Sequence, residues 1–134
     1  MDLSFETELP IRYRDIDTFE HVNNAVYGTY LEHARLEYFD RVLGVPLEER
    51  EMVLANINID FARPLTLEDR TVRIACGVAE LGGSSFRMEY QVRAKSDDEP
   101  AATAETTIVS VENGSSREIP PEWRERFVEF EEAL

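Results

Sequence analysis

Lysine is almost missing from this sequence: Lys95 is the only one in 134 residues. Basic residues of both kinds number 14 against 28 acidic ones, a net charge of −14. Nucleic acid and anionic membrane surfaces are held by clustered Lys and Arg, so neither is expected as a partner. Cysteine is equally scarce. Cys76 stands alone, which excludes an internal disulfide and makes the cytoplasm the expected location. It lies in "RIACGVAE", a strand-like stretch, and is expected as a small buried hydrophobe rather than a reactive thiol. No apolar run approaches the ~18 residues that span a bilayer. The opening "MDLSFETELP" lacks the basic and apolar regions of a secretion signal, so none is expected. The acidity itself aids solubility. Together with the want of lysine, it resembles the surface of cytosolic proteins from salt-loving microbes, the favoured reading here.

What is present reads as one domain, residues 1–134, long enough to bury roughly two-thirds of its extended surface without staples. In "FETELPIRYR" the apolar Leu9, Ile11 and Tyr13 recur at period two and predict a strand over 5–14. A polar stretch runs from Asp15 to Asn24. From about Asn24 to Leu43, apolar residues at 26, 27, 30, 31, 34, 38, 39 and 42 have helical spacing over about five turns. Asn23 or Asn24 suits the N-cap, and Gly44 with Pro46 the stop. Gly28 inside this helix costs about 1 kcal/mol against alanine, explained by a close neighbour or simply tolerated.

Four further strands follow, carrying Ile57, Ile59 and Phe61; Val72, Ile74, Cys76 and Val78; Phe86, Met88, Tyr90 and Val92; and Ile108, Val109 and Val111. The segments "RPLTLEDR", "LGGSS" and "SDDEP" between them are turn chemistry. The last three strands have hairpin spacing, which predicts an antiparallel meander. A short acidic helix is expected over about 121–131, beginning at Pro121. One helix cannot cover both faces of five strands. The sheet is therefore expected to wrap around the long helix, with self-association hiding the remainder.

This order and two motifs resemble the hotdog-fold acyl-CoA thioesterases of the 4-hydroxybenzoyl-CoA thioesterase family. "RYRDIDTFEHVNNAVYGTYLEHAR" is similar to that family's Arg-Tyr-x-Asp-x-Asp, loop, and Asn-x-x-Tyr-x-x-Tyr-x-Glu-x-x-Arg. "INIDFARPLTLEDRTVRI" is similar to its strand, turn and Asp-led next strand. The resemblance runs from about residue 8 to 112. It implies an α+β hotdog fold, an antiparallel five-stranded sheet around one long central helix. It also implies a homodimer or homotetramer with sites at the dimer interface, and hydrolysis of an acyl-CoA to a carboxylic acid and coenzyme A. No metal or bound cofactor is implied, coenzyme A entering only as part of substrate and product.

On the same resemblance, Asp17 is the catalytic carboxylate, either a general base on water or a nucleophile through an anhydride. A helix N-terminus offers unpaired N–H groups, so the amides of Asn24 and Ala25 are expected to hold the thioester oxygen. His21 either orients water or makes a structural hydrogen bond, and Asn23 caps the helix or bonds across the site. Asp15 is expected to hold the loop, pairing with Arg12 or Arg14. Tyr27, Tyr30 and Phe19 either line an acyl pocket or pack the helix on the sheet. Glu32 is the reserve carboxylate, although an ion pair with Arg35 is the plainer reading. Coenzyme A is polyanionic and needs a basic exception in an acidic chain. Arg63, Arg87, Arg93 and Lys95, with the hydroxyls of Ser84 and Ser85, are the candidates. The spacing of Asp15, Asp17, His21 and His33 matches no compact metal motif. Beside the acyl-CoA reading stand a thioesterase acting on acyl carrier protein and a non-catalytic acyl-binding or assembly module. The hotdog dehydratases and hydratases are a third option, but their usual aspartate-and-histidine motif is not evident here.

Overall fold

The structure, a computed structural model, describes residues 3–132 and 134. Met1, Asp2 and Ala133 of the expected 1–134 domain lie outside the described residues. The chain runs β1 (Phe5–Pro10), α1 (Asn24–Val42), β2 (Met52–Phe61), β3 (Thr71–Leu81), β4 (Ser85–Ala94), β5 (Ala102–Glu112), a two-residue β6 (Ser115–Ser116) and α2 (Pro121–Phe130). The sheet order is β1-β3-β4-β5-β2, every pairing antiparallel, with β6 added on β5. The expected meander is β3-β4-β5.

Alternation decides which face of each strand is covered. Along β4, Phe86, Met88, Tyr90 and Val92 are buried, while the residues between them are half-exposed. The same inner face receives Val72, Ile74, Cys76 and Val78 of β3. Against it lies α1 through Tyr27, Tyr30, Leu31, Ala34, Tyr38, Phe39 and Val42, its apolar stripe close to the predicted one. Arg35 is buried as well, its Nη1 donating to the Tyr90 hydroxyl at 3.3 Å rather than pairing with Glu32. Register shifts at Val78/Glu80 and Leu54/Asn56 mark bulges, which bend and twist strands and so help the sheet curl around the helix. This is the hotdog arrangement.

Helix α2 starts at Pro121 and closes the open end of the core with Trp123 and Phe127. Phe127 packs 4.9 Å from Phe86, ring centre to ring centre. Burying one such side chain stabilises by about 2–3 kcal/mol.

One boundary differs from the sequence reading. The first strand stops at Pro10, and Tyr13–Asp15 forms a 3₁₀ turn. The Arg12 amide donates to Asp15 Oδ2 at 2.9 Å and the Arg12 guanidinium to Oδ1 at 3.3 Å, so a local capping interaction overrides the alternation.

Candidate active site

The segment between β1 and α1 is ordered by its own carboxylates. Asp15 is buried and accepts from Arg12 on one side and from the Tyr30 hydroxyl, at 3.0 Å, on the other. Its backbone carbonyl takes the Asn23 N–H at 2.8 Å. Asp15 therefore ties the start of the loop to its end and to α1. Burial, then the hydrogen bond to Asp15, raises the Tyr30 phenol well above its ordinary range.

Inside the loop, Asp17 makes a side-chain turn. Its Oδ1 accepts from the Phe19 amide at 2.9 Å and the His21 amide at 3.4 Å. Its own N–H donates to the His21 carbonyl at 2.9 Å. Oδ2 has no hydrogen-bond partner among the described residues. Glu20, at φ 64°, carries the left-handed residue that lets the loop reverse.

Asn23 is the N-cap of α1, its Oδ1 accepting from the Ala25 amide at 2.8 Å. This corrects the expectation for Ala25, whose N–H is already taken. Asn24, the first residue of the helix, has an amide with no preceding helical carbonyl to meet, and the positive end of the helix dipole lies there.

Asp17, His21 and Asn24 line one cavity of about 530 Å³ with Phe19, Val22 and Tyr27. The opposite wall is Phe61, Ala62, Arg63 and Pro64, at the end of β2 and just beyond. Tyr27 is buried and meets Phe61 edge-on at 5.0 Å. Burial pushes its phenol up to about 12, so it stays protonated at neutral pH. Asp17, Phe19 and His21 also face a broader cleft of about 1020 Å³, shared with Tyr13, Leu67 and Glu68.

Other expected residues are elsewhere or already engaged. Arg63 reaches the cavity but holds Asp97 at 2.7 Å and Glu99 at 3.5 Å. Arg87 is bound by Glu89 at 2.7 Å, Glu105 at 3.6 Å and Glu80 at 4.0 Å, and lines neither cavity around Asp17. Lys95 pairs with Glu8, and Arg93 donates to the Asp98 carbonyl. Ser84 and Ser85 stand at the β3–β4 turn, where their carbonyls accept from Ser110 and Gly82. Glu32 is exposed and lines a separate cavity with Arg35, Phe39 and Arg50. Among the described residues, no group of three or more His, Cys, Asp or Glu is placed to hold a metal ion. The sequence reading named Arg63 but missed its neighbours Ala62 and Pro64, whose only local signal was turn chemistry, and the cleft residues Leu67 and Glu68.

A curled antiparallel sheet around one helix is the hotdog arrangement, and here a carboxylate loop stands at that helix's N-terminus. The comparisons agree. Residues 11–129 match the thioesterase-like superfamily, and the chain belongs to it. The long-chain acyl-CoA thioesterase FadM of Escherichia coli (strain K12) is 30% identical over 110 residues, 80% of this chain and 83% of FadM. The chloroplastic acyl-acyl carrier protein thioesterase ATL3 of Arabidopsis thaliana is 26% identical over 131 residues, 93% of this chain and 68% of ATL3. A thioesterase from Thermus thermophilus, solved with coenzyme A and Zn, superposes with a TM-score of 0.88 at 37% identity, covering 97% of this chain and 96% of that one. The chain is thus a thioesterase-family hydrolase. Among the described residues, no helix is long and apolar enough to cross a membrane.

Proposed function

We propose that the chain hydrolyses an acyl-CoA thioester to a carboxylic acid and coenzyme A, with Asp17 as the catalytic carboxylate. One observation carries this reading: Asp17, with one oxygen unengaged, lines the same cavity as the first residue of α1. A thioester carbonyl set between them meets the Asn24 N–H and the helix dipole on its oxygen. As general base, Asp17 takes a proton from water while that water's oxygen attacks the carbonyl carbon. The tetrahedral oxyanion then collapses, the C–S bond breaks, and the proton passes to the departing thiolate. As nucleophile, Asp17 would instead displace the thiolate to form an anhydride that water opens. His21 orients the water, and Tyr27 with Phe61 offers the acyl group an apolar wall.

Two relatives support the substrate class. FadM is named for acyl-CoA hydrolysis, and the Thermus protein holds coenzyme A. The name of ATL3 keeps an acyl carrier protein substrate as the second reading. We further propose that two copies pair through β2, an edge strand with Val53, Leu54, Ile57 and Phe61 each between 41% and 49% exposed. Cys76, free and fully buried, fits a reducing cytoplasm.

The test is thiol release from short, medium, long and aromatic acyl-CoA, with acyl carrier protein thioesters in parallel, at low and high salt. Asp17→Asn should lower kcat by about 10²–10⁴-fold, the usual range for a lost general base. Full turnover in that variant would remove Asp17 from its role and turn attention to Glu32.

A further inference from the structure

Coenzyme A brings several phosphate charges to a chain of net charge −14, so its nucleotide end needs a locally positive berth. Arg73 and Arg87 on the sheet, and Arg63 and Lys95 just past its strands, all stand against carboxylates that cancel them, while Arg93 donates to the Asp98 carbonyl and to Gln91. Arg14 and Arg70 differ: both are exposed, and neither makes an ion pair or side-chain hydrogen bond among the described residues. Arg12, half-exposed, gives only one 3.3 Å contact to Asp15.

These arginines belong to neighbouring segments. The Ile11 amide donates to the Arg70 carbonyl at 2.7 Å, so residues 11–14 run beside the 67–70 turn. The cleft of Asp17, lined by Tyr13, Phe19, Leu67 and Glu68, continues across Leu67 and Glu68 into a depression of about 450 Å³. Ile11 and Arg70 line its far end. Arg70 sits at φ 63°, ψ −46°, a strained conformation for a residue with a side chain, where glycine would fit without strain. The turn nonetheless carries an arginine there. At the rim, Tyr13 is 84% exposed and Phe19 77%, an unusual show of aromatic surface beside a cleft.

We propose that the nucleotide end of the coenzyme A thioester lies along this groove, its purine on the Tyr13 ring and its phosphates on Arg70, which lines the groove, and on Arg14, which follows Tyr13 in the exposed turn. Arginine matches phosphate oxygens with paired donors, and an exposed aromatic face stacks bases whatever their identity. Glu68 lines the same groove and repels phosphate, which keeps the anionic groups to the arginine side. The inference rests on the acyl-CoA reading and adds a location to it: recognition of the nucleotide comes from the β1–α1 loop and the 67–70 turn, not from the sheet arginines.

The experiment uses the full chain and two readouts. Calorimetry measures the Kd of free coenzyme A. Kinetics measure kcat/KM for an acyl-CoA and for the same acyl group on N-acetylcysteamine, which lacks the nucleotide. The combined variant Arg14→Ala with Arg70→Gly, which also relieves the strained turn, should raise the Kd at least tenfold. It should shrink the preference for acyl-CoA over the truncated thioester by a similar factor. Tyr13→Ala should move both in the same direction, and Arg70→Lys should restore part of the loss. Unchanged Kd and preference, or a wild-type chain that does not bind coenzyme A, overturns the inference. Binding that depends on these arginines without hydrolysis of any thioester upholds it and overturns the hydrolase reading instead.

Discussion

The Tyr38 hydroxyl, in the middle of α1, donates to Glu131, one residue past α2, at 2.5 Å. The same carboxylate accepts from Ser4 Oγ at 2.8 Å and from the Val78 amide at 3.0 Å, beside the bulge of β3. Glu131 thus joins four separate stretches of chain while itself 7% exposed. Gly77 makes room for it: a Cβ there would fall 2.8 Å from Ser4 Oγ and 3.1 Å from the carboxylate. Glu131→Ala would strand the buried Tyr38 hydroxyl and Val78 amide, each worth about 1–3 kcal/mol when unmet, and leave the exposed Ser4 hydroxyl to water. Partial hydration reduces the sum, and the expected loss is about 3 kcal/mol, with Glu131→Gln losing less. Urea denaturation of both variants checks this, and a loss below about 1 kcal/mol would mean that the junction is not cooperative with the core.

Stability should fall in alkali earlier than exposed groups alone would cause. Burial raises the Cys76 thiol from 9.0 to about 12, with the Glu131 charge adding to it, and raises the Tyr27 phenol from 10.0 to about 12. Burial also raises Tyr30, Tyr38 and Tyr90. Below about pH 9 both folded and unfolded chains keep these protons, and their contribution is fully present. Above it the unfolded chain releases protons that the fold retains, so stability drops by about 1.4 kcal/mol per pH unit for each group in play. For Cys76 and Tyr27 the loss runs until their folded values near 12 are reached. Urea midpoints between about pH 8 and 11 should show an onset near 9, moved toward 10 in Cys76→Ala.

Much of the fold was legible because its signals are local. The stripe of α1, its Asn23 cap and the meander β3-β4-β5 all follow from periodicity and turns within a few residues. The pairing of β2 with β5, and of β1 with β3, had no such signal, since their registers join residues far apart in sequence. The junction at Glu131 is more distant still, spanning 127 positions to Ser4 and 93 to Tyr38. The candidate site divides likewise. Asp17, His21, Asn23 and Asn24 fall within one short stretch that reads as a motif. Phe61 to Pro64 and Arg70 reach it only through the tertiary fold. The basic residues are harder to read for a related reason: a sequence shows arginines but not the carboxylates that stand against them, as at Arg87.

If Asp17 is the catalytic carboxylate as proposed, Tyr30 positions the site through Asp15. Its hydroxyl is 3.0 Å from Asp15 Oδ2, and the Asp15 carbonyl holds the Asn23 amide at the mouth of α1. Tyr30→Phe keeps the buried ring and removes the hydroxyl, which should cost about 1–2 kcal/mol of stability. The loop then holds Asp17 less firmly against the helix N-terminus, so kcat for thioester hydrolysis should fall several-fold with KM little changed. A purely structural hydroxyl would move the melting temperature and leave that kinetic split absent.

Gly28 has no neighbour within 4 Å of where a Cβ would stand, so neither a second backbone nor a packed side chain of this chain requires glycine there. It lies in the second turn of α1, where alanine is favoured by about 1 kcal/mol through lower unfolded-state freedom and better helix propensity. Gly28→Ala should therefore raise the free energy of unfolding by about 1 kcal/mol. Measuring that variant alongside its hydrodynamic size separates two origins for the glycine. A gain in stability with unchanged size marks it as a tolerated weakness of the helix. A loss in stability together with a shift toward monomer would place a second copy against this turn, one helical turn along α1 from Asn24.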